Sequence, residues 1–276
     1  RSIAGLNSLT TTVKKPFGQF VLDLDPRFEI DSVYVCDKGS MSRSTYERIE
    51  SKIYLDVKRK QVAGTTFQAK VFYHGKPRVA PRAPWNGGFV WEKTDTGEPW
   101  VSVACQNNGA DLWWPCKDHP SDEPDSMALH FTVPEQLQCI SAGQLRGITE
   151  NKNGTKTFHW FVSTPINNYG LSFYIGPYSQ QEYQYTSVTN EPMPMFFYYF
   201  AEHEDKLKNF MPQIPQQIRF FEELLGPYPF RIDKYAAVEA PYLGMEHQSC
   251  IAYGVLYAAG GGYSYGQGFD ALHLHE

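Results

Sequence analysis

Hydrophobic and polar residues alternate along most of the first two thirds of the chain. In residues 53–57 the apolar positions are Ile53, Leu55 and Val57, and in residues 67–73 every second residue is again apolar. A period of two is typical of a half-buried β-strand. Similar short runs lie at 20–24, 129–133, 158–162 and 171–175. The pattern predicts a β-sandwich or a large curved antiparallel sheet.

After about residue 178 the apolar residues recur with the period of a helix. They follow one another at steps of four, three and four residues: Ile214, Ile218, Phe221 and Leu225. This spacing predicts one apolar helix face, which ends where Gly226 precedes Pro227. Short strands are predicted at 195–200 and 235–238, a Gly-rich loop at 260–268 and a helix start at 269–276. We therefore expect two domains, a β domain over residues 1–183 and a mixed α/β domain over 184–276.

Composition and charge narrow the possible partners. The chain has 25 Lys and Arg against 30 Asp and Glu, for a formal net charge of −5, so a nucleic-acid partner is not expected. No apolar run approaches the ~20 residues needed to span a membrane. The five cysteines form no C-x-x-C pair. The cysteines could form one disulfide, for which Cys105 and Cys116 are the nearest pair, or they could be buried free thiols. The sequence does not determine the cellular compartment.

Three segments contain residues that could do chemistry. His275-Glu276 could begin an H-E-x-x-H helix, in which two His bind one zinc ion and the Glu between them acts as a base. Taken alone, the dipeptide favours a solvated helix end, because a His-Glu pair is common by chance. Glu246 could hold a cation at a cleft edge or be an exposed strand-end carboxylate. Gln106 precedes the run 113–121, which is rich in tryptophan and could lie near a substrate or be an aromatic packing loop.

Taken in order, these segments resemble the aminopeptidase N-like zinc metallopeptidases, the gluzincin aminopeptidases that include leukotriene hydrolase. Gln106 and residues 113–121 resemble the family's Gln and its W-x-P-C-x-D-x-P-S run, and residues 225–229 resemble its L-G-x-Y-P helix end. Residues 243–247 resemble the G-x-M-E-N motif, with Leu243 in place of Gly and His247 in place of Asn. His275 follows Glu246 by 29 residues, as the family's zinc motif follows that segment.

The resemblance implies a mainly β N-terminal domain followed by the α/β start of a thermolysin-like catalytic domain. It also implies a zinc-dependent aminopeptidase acting on peptides with a free N-terminus. His275 would be a zinc ligand and Glu276 the catalytic base that takes a proton from the attacking water. The substrate-binding residues implied are Glu246, for the free α-amine, together with Gln106, Met245 and Gly244. Because the sequence stops inside the zinc motif, we expect a fragment that is inactive by itself.

A second reading is a non-catalytic β-rich module that binds glycans or peptides through its many Trp and Tyr side chains. Zinc content separates the two readings, since an extended parent enzyme would hold about one zinc ion and a binding module none. Side-chain preference and oligomeric state are left open by both.

Overall fold

The computed structural model describes residues 1–37, 39–106, 109–254 and 270–276. These residues form two compact units, one made of residues 1–79 and 107–122 and the other of residues 80–106 and 123–276. Antiparallel strands dominate both units, and the described α-helices lie in the second. The predicted β-rich fold with a later α/β part is therefore confirmed. The domain boundary at residues 183 and 184 stays a prediction, and the predicted Gly-rich loop at 260–268 lies outside the described residues.

The first unit is built from two antiparallel sheets, with strand orders β1-β7-β3-β4 and β2-β6-β5. Its strands are β1 (Ile3–Thr12), β2 (Phe17–Asp23), β3 (Phe28–Asp37), β4 (Ser40–Ser44), β5 (Tyr46–Ile49), β6 (Lys52–Gln61) and β7 (Thr66–Gly75). Every second residue of β7 is buried, as its alternation predicted. The rings of Phe20 on β2 and Phe67 on β7 pack 4.9 Å apart, which joins the two sheets as a sandwich.

The tryptophan-rich loop belongs to this first unit and is held by its own polar contacts. The Asp118 carboxylate accepts hydrogen bonds from the backbone N–H groups of Gly109, at 2.9 Å, and Ala110, at 3.1 Å. The Tyr73 hydroxyl donates to the carbonyl of Trp113 at 2.9 Å. Trp113 and Trp114 are buried, so the loop contributes to packing. All five cysteines are free thiols.

The described residues of the second unit form three sheets, with strand orders β10-β13-β12, β11-β14-β9-β8 and β15-β16-β17-β19-β18. Its strands are β8 (Gly88–Lys93), β9 (Pro99–Ala104), β10 (Met127–Pro134), β11 (Gln138–Ser141), β12 (Gln144–Glu150), β13 (Thr155–Val162), β14 (Phe173–Gly176), β15 (Ser179–Thr186), β16 (Pro192–Tyr199), β17 (Tyr235–Glu239), β18 (Gly244–Met245) and β19 (Ile251–Tyr253). Its helices are α1 (Glu204–Phe210), α2 (Gln213–Leu225) and α3 (Ala271–His275). None of the helices in the described ranges is both long and apolar enough to cross a bilayer.

The five-stranded sheet is mixed, and its helices cover one apolar face. Strands β16, β17 and β19 run parallel, while β18 pairs with β19 in the antiparallel sense at the edge. Ile214 and Ile218 of α2 are buried in the core of this sheet, as predicted. Leu225 was predicted on the same face but is 81% exposed, because α2 ends at this residue and the chain turns away at Gly226. Glu222 is buried instead.

Glu222 ties the last turn of α2 to the neighbouring loops. Its carboxylate accepts hydrogen bonds from the hydroxyls of Tyr185 and Ser187, at 2.8 and 2.7 Å, and from the N–H groups of Val188 and Tyr228, at 3.1 and 2.9 Å. Burial by itself would raise the pKa of this carboxyl, but the hydrogen bonds outweigh burial and the pKa is lowered. A buried carboxylate with four donors is a structural anchor.

We predict that Glu222→Gln destabilises the protein by about 2–4 kcal/mol, because hydrogen bonds to a charged group contribute roughly 1.5–3 kcal/mol each and the amide nitrogen cannot accept them. Glu223→Gln is the matched control. Its carboxylate forms an exposed pair with Arg219 at 2.7 Å, and such pairs contribute at most about 0.5 kcal/mol within a helix. Chemical denaturation measures both changes. Equal losses in the two variants would contradict the anchoring role.

Candidate active site

The segment that carries Glu246 begins on the edge strand of the mixed sheet. Gly244 pairs with Tyr253 and Met245 with Ala252 across β18 and β19. Met245 is buried at 2% exposure, whereas Glu246, the next residue, is exposed where the strand ends. Leu243 takes the position of the family's Gly, and its partly buried side chain packs against the core of the sheet. The sheet pairing thus presents one carboxylate at its edge.

Helix α3 carries His275 and leads into Glu276. The side chain of Asp270 accepts a hydrogen bond from the His273 N–H at 2.9 Å, which caps the first turn of the helix. His273 is buried and His275 is exposed, because residues two apart on a helix face different sides. Glu276 is partly buried, and its N–H donates to the Leu272 carbonyl at 3.0 Å.

Buried polar contacts fix α3 to the sheet and to α2. The Tyr253 hydroxyl on β19 donates to the Asp270 carboxylate. The His273 ring accepts a hydrogen bond from the Tyr235 hydroxyl on β17 and donates one to the Gln217 side chain on α2. Burial lowers the pKa of His273 to about 3, so the ring is neutral, as these two bonds require. The sequence motifs predict none of these contacts, because the partners lie 17 to 56 residues apart.

The edge strand and the end of α3 bring two carboxylates together. A Cβ built on Gly244 would overlap the Glu276 carboxylate and would lie 2.9 Å from Leu272 Cδ1. Burial, and to a lesser extent the charge of Glu246, together raise the pKa of Glu276 to about 7. The Tyr169 hydroxyl donates to Glu246 Oε1 at 3.2 Å. The two carboxylates therefore share one electrostatic environment, which favours a cation beside them.

Not all predicted site residues meet at this point. Gly244, Glu246 and Glu276 are neighbours, with His275 one residue away on α3. Gln106 is exposed at a bend after β9, and no hydrogen bond joins it to Glu246 within the described ranges. Tyr169, which carried no predicted role, is the residue that sequence reasoning missed here.

The described residues hold no group of three His, Cys, Asp or Glu side chains that could surround a metal ion. The His275 imidazole is a donor of the type that zinc prefers. The described residues do not supply enough ligands, because catalytic zinc usually has three protein ligands. The zinc ligand role of His275 therefore stays a prediction.

His247 occupies the position of the family's Asn and is fully buried. Its Nδ1 lies 2.8 Å from the Tyr174 hydroxyl, which itself donates to the Cys250 carbonyl at 3.0 Å. Nδ1 is therefore the donor, and the buried Nε2 has no hydrogen-bond partner among the residues that the structure describes. Burial lowers the pKa of His247 to about 3. The histidine at the position of the family's Asn is therefore a buried, neutral imidazole that follows Glu246 in the chain.

We predict that His247→Asn weakens the dependence of stability on acid pH. In the unfolded chain this imidazole takes up a proton near pH 6.5, whereas in the folded protein it stays neutral down to about pH 3. The stability that His247 contributes is therefore lost as pH falls below 6.5, by about 2 kcal/mol between pH 7.5 and 5.0. Asn can still donate to Tyr174 and does not titrate. Urea unfolding at both pH values measures the difference, and an unchanged difference in the variant would contradict this assignment.

Curated relatives match only part of the chain, and no family model matches it. Transcription initiation factor TFIID subunit 2 of Drosophila melanogaster is 28% identical over 151 residues, which are 54% of this chain and 12% of that protein. Leucine aminopeptidase 2 of Vanderwaltozyma polyspora is 27% identical over 158 residues, which are 56% of this chain and 22% of that protein. The chain thus spans less than a quarter of either relative.

Solved structures match the chain over nearly its whole length. An M1 zinc metallopeptidase from Deinococcus radiodurans superposes with a TM-score of 0.74 at 21% identity, over 91% of this chain and 55% of that one. A mutant M1 zinc metallopeptidase from the same organism, bound to a Tyr-Ser-Ala substrate, gives the same TM-score and identity over 92% of this chain and 56% of that one. The chain spans about half of each structure. With its β-rich first part and its mixed sheet, this chain has the aminopeptidase N-like fold of the M1 zinc metallopeptidases.

Proposed function

We propose that this chain belongs to a zinc-dependent aminopeptidase, which removes residues one at a time from the N-terminus of peptides. The observation that supports this most directly is that Gly244, two residues before Glu246, lies against the Glu276 carboxylate, so that two motifs far apart in sequence are close in space. An exopeptidase of this kind needs a negative charge for the substrate's α-ammonium beside the group that assists attack on the first peptide bond.

Glu246 is proposed to bind the α-ammonium of the substrate. It is exposed at the strand end, and Tyr169 holds one of its oxygens at 3.2 Å. A carboxylate and an ammonium form a charge-assisted hydrogen bond, which is roughly twice as strong as a neutral one. A carboxylate at a fixed position would hold the substrate's N-terminus at a set distance from the reacting bond. Cleavage would therefore be restricted to the first peptide bond. Gln106, Met245 and Gly244 remain proposed substrate-binding residues.

Glu276 is proposed to act as the base that takes a proton from the attacking water. Its partial burial next to Glu246 favours proton uptake. His275 would be one zinc ligand, with the remaining ligands supplied by residues other than those described. When bound, zinc supplies Lewis-acid polarisation of the peptide carbonyl.

A second candidate is a non-catalytic module in a larger assembly. The similarity to a protein named as a transcription initiation factor subunit favours it. The lack of a complete ligand set among the described residues is compatible with both candidates. Turnover that depends on Glu276 would separate them.

In the full-length protein, we predict that Glu276→Gln lowers kcat by at least about a hundredfold while zinc stays bound, because the amide cannot accept the water's proton. Glu223→Gln, an exposed helical position with the same chemical change, is the matched control and should keep full turnover. The measurements are turnover of aminoacyl-anilides and zinc content. Near-normal turnover in zinc-loaded Glu276→Gln would show that another group is the base.

We predict that Glu246→Gln, also in the full-length protein, lowers kcat/KM for free-amine peptides by about ten- to a hundredfold, which corresponds to the loss of one charge-assisted hydrogen bond. N-acetylated peptides carry no ammonium, so their turnover should change little. The measured quantity is the ratio of kcat/KM for the two substrates. Glu98→Gln, at an exposed position next to a strand, controls for a change of surface charge. An unchanged ratio in Glu246→Gln would contradict the proposal that Glu246 binds the substrate's amine.

A further inference from the structure

A pair of histidines lies on the sheet β10-β13-β12, in a region that the proposed function does not use. His130 on β10 and His159 on β13 stand directly opposite each other in the antiparallel ladder. Their rings have centroids 4.9 Å apart and an interplanar angle of 67°, and His130 is exposed. We infer that this pair binds a transition-metal ion of the class that prefers imidazole, such as Ni²⁺, Cu²⁺ or Zn²⁺.

The nitrogen positions suit two ligands of one ion. The two Nδ1 atoms lie 2.7 Å apart and share a hydrogen bond. Imidazole nitrogens bind such a metal at about 2.0–2.1 Å, so two of them at an angle near 90–110° lie roughly 3 Å apart. The two nitrogens therefore need to separate by only a few tenths of an ångström, and the rings must also turn so that both lone pairs point at the ion. The ladder fixes the backbone on both sides, so little ordering is needed on binding.

The proton balance is also satisfied within the pair. In the hydrogen-bonded state one Nδ1 carries a proton and the other accepts it. In the metal-bound state both Nδ1 atoms must be free of protons, so each ring carries its single proton on Nε2. The Nε2 of His159 lies 2.8 Å from the Thr149 hydroxyl, which can accept that proton's hydrogen bond. A hydrogen bond from the second ring nitrogen is the usual device that orients a metal-binding histidine.

The surroundings leave room for the ion and its waters but add one opposing charge. A surface cavity of about 380 Å³ is lined by both histidines, Ala128, Arg146 and Phe161, together with Trp160. The Arg146 guanidinium lies 5.5 Å from the centroid of the Phe161 ring. Its positive charge weakens the binding of a dication. With two protein ligands and water in the remaining positions, we expect a reversible site.

The test is calorimetric titration of Ni²⁺ into the full-length protein and its variants. Binding through two linked ligands exceeds binding through one by roughly a hundredfold or more, so His130→Asn and His159→Asn should each weaken one Ni²⁺ site by about that factor. Thr149→Val should weaken the same site by about tenfold, because it removes the orienting hydrogen bond. Arg146→Gln should strengthen it. Circular dichroism of each variant checks that the fold is retained.

His119→Asn is the matched control, since His119 is an exposed loop histidine whose Nδ1 lies 2.8 Å from the Ser121 hydroxyl. It should leave this Ni²⁺ site unchanged, and Ni²⁺ bound elsewhere on the protein should be common to all variants. The proposal is overturned if wild type and the double variant His130→Asn, His159→Asn bind Ni²⁺ alike, or if either single variant binds as tightly as wild type. It is also overturned if His119→Asn causes the same loss, which would indicate nonspecific binding to surface histidines.

Discussion

The attachment of α3 to the mixed sheet is the constraint on which the candidate active site depends. Asp270 caps the helix and accepts a hydrogen bond from Tyr253 of β19, while His273 contacts Tyr235 of β17 and Gln217 of α2. Asp270, His273 and the two tyrosines are buried, so their polar atoms need partners, and the helix has few alternative positions that would satisfy them together. Because His275 and Glu276 lie only two and three residues after His273, this network determines where they lie.

The second half of the site depends on the direction of the edge strand. Strand β18 lies between β17 and β19 in the chain, and it pairs antiparallel with β19 at the edge of the sheet, whereas β17 and β19 run parallel. This reversal brings Gly244 against the Glu276 carboxylate and leaves Glu246 exposed just beyond it. Glycine allows the close approach because it has no Cβ. Two sequence motifs thus become neighbours through sheet topology, and neither motif alone contains that information.

Much of the fold could be predicted from the sequence, because a strand or helix that is buried on one face shows a regular spacing of apolar residues. The alternation in residues 53–57 and 67–73 corresponds to buried faces of β6 and β7, and Ile214 with Ile218 corresponds to the buried face of α2. The predicted burial of Leu225 was wrong, because the periodicity of apolar residues does not show where a helix moves away from the core. Glu222 was missed because a buried carboxylate has no sequence signature when its donors lie up to 37 residues away.

The candidate site could be predicted only as separate pieces. Glu246 and Glu276 were singled out by motif, but their proximity came from the pairing of β18 and β19 and from the buried contacts of α3. Tyr169 and the Asp270 network lacked a predicted role for the same reason, since hydrogen bonds between distant residues depend on tertiary structure. His247 departs from the motif, and its burial against Tyr174 gives the departure a structural explanation.

The most direct test of the central claim is a crystal structure of the full-length protein with a bound free amino acid. The account predicts that the α-ammonium lies about 2.7–3.2 Å from a Glu246 oxygen, with the Glu276 carboxylate facing the same cleft. An amino acid bound elsewhere, or an ammonium held by other groups while Glu246 points into solvent, would contradict it.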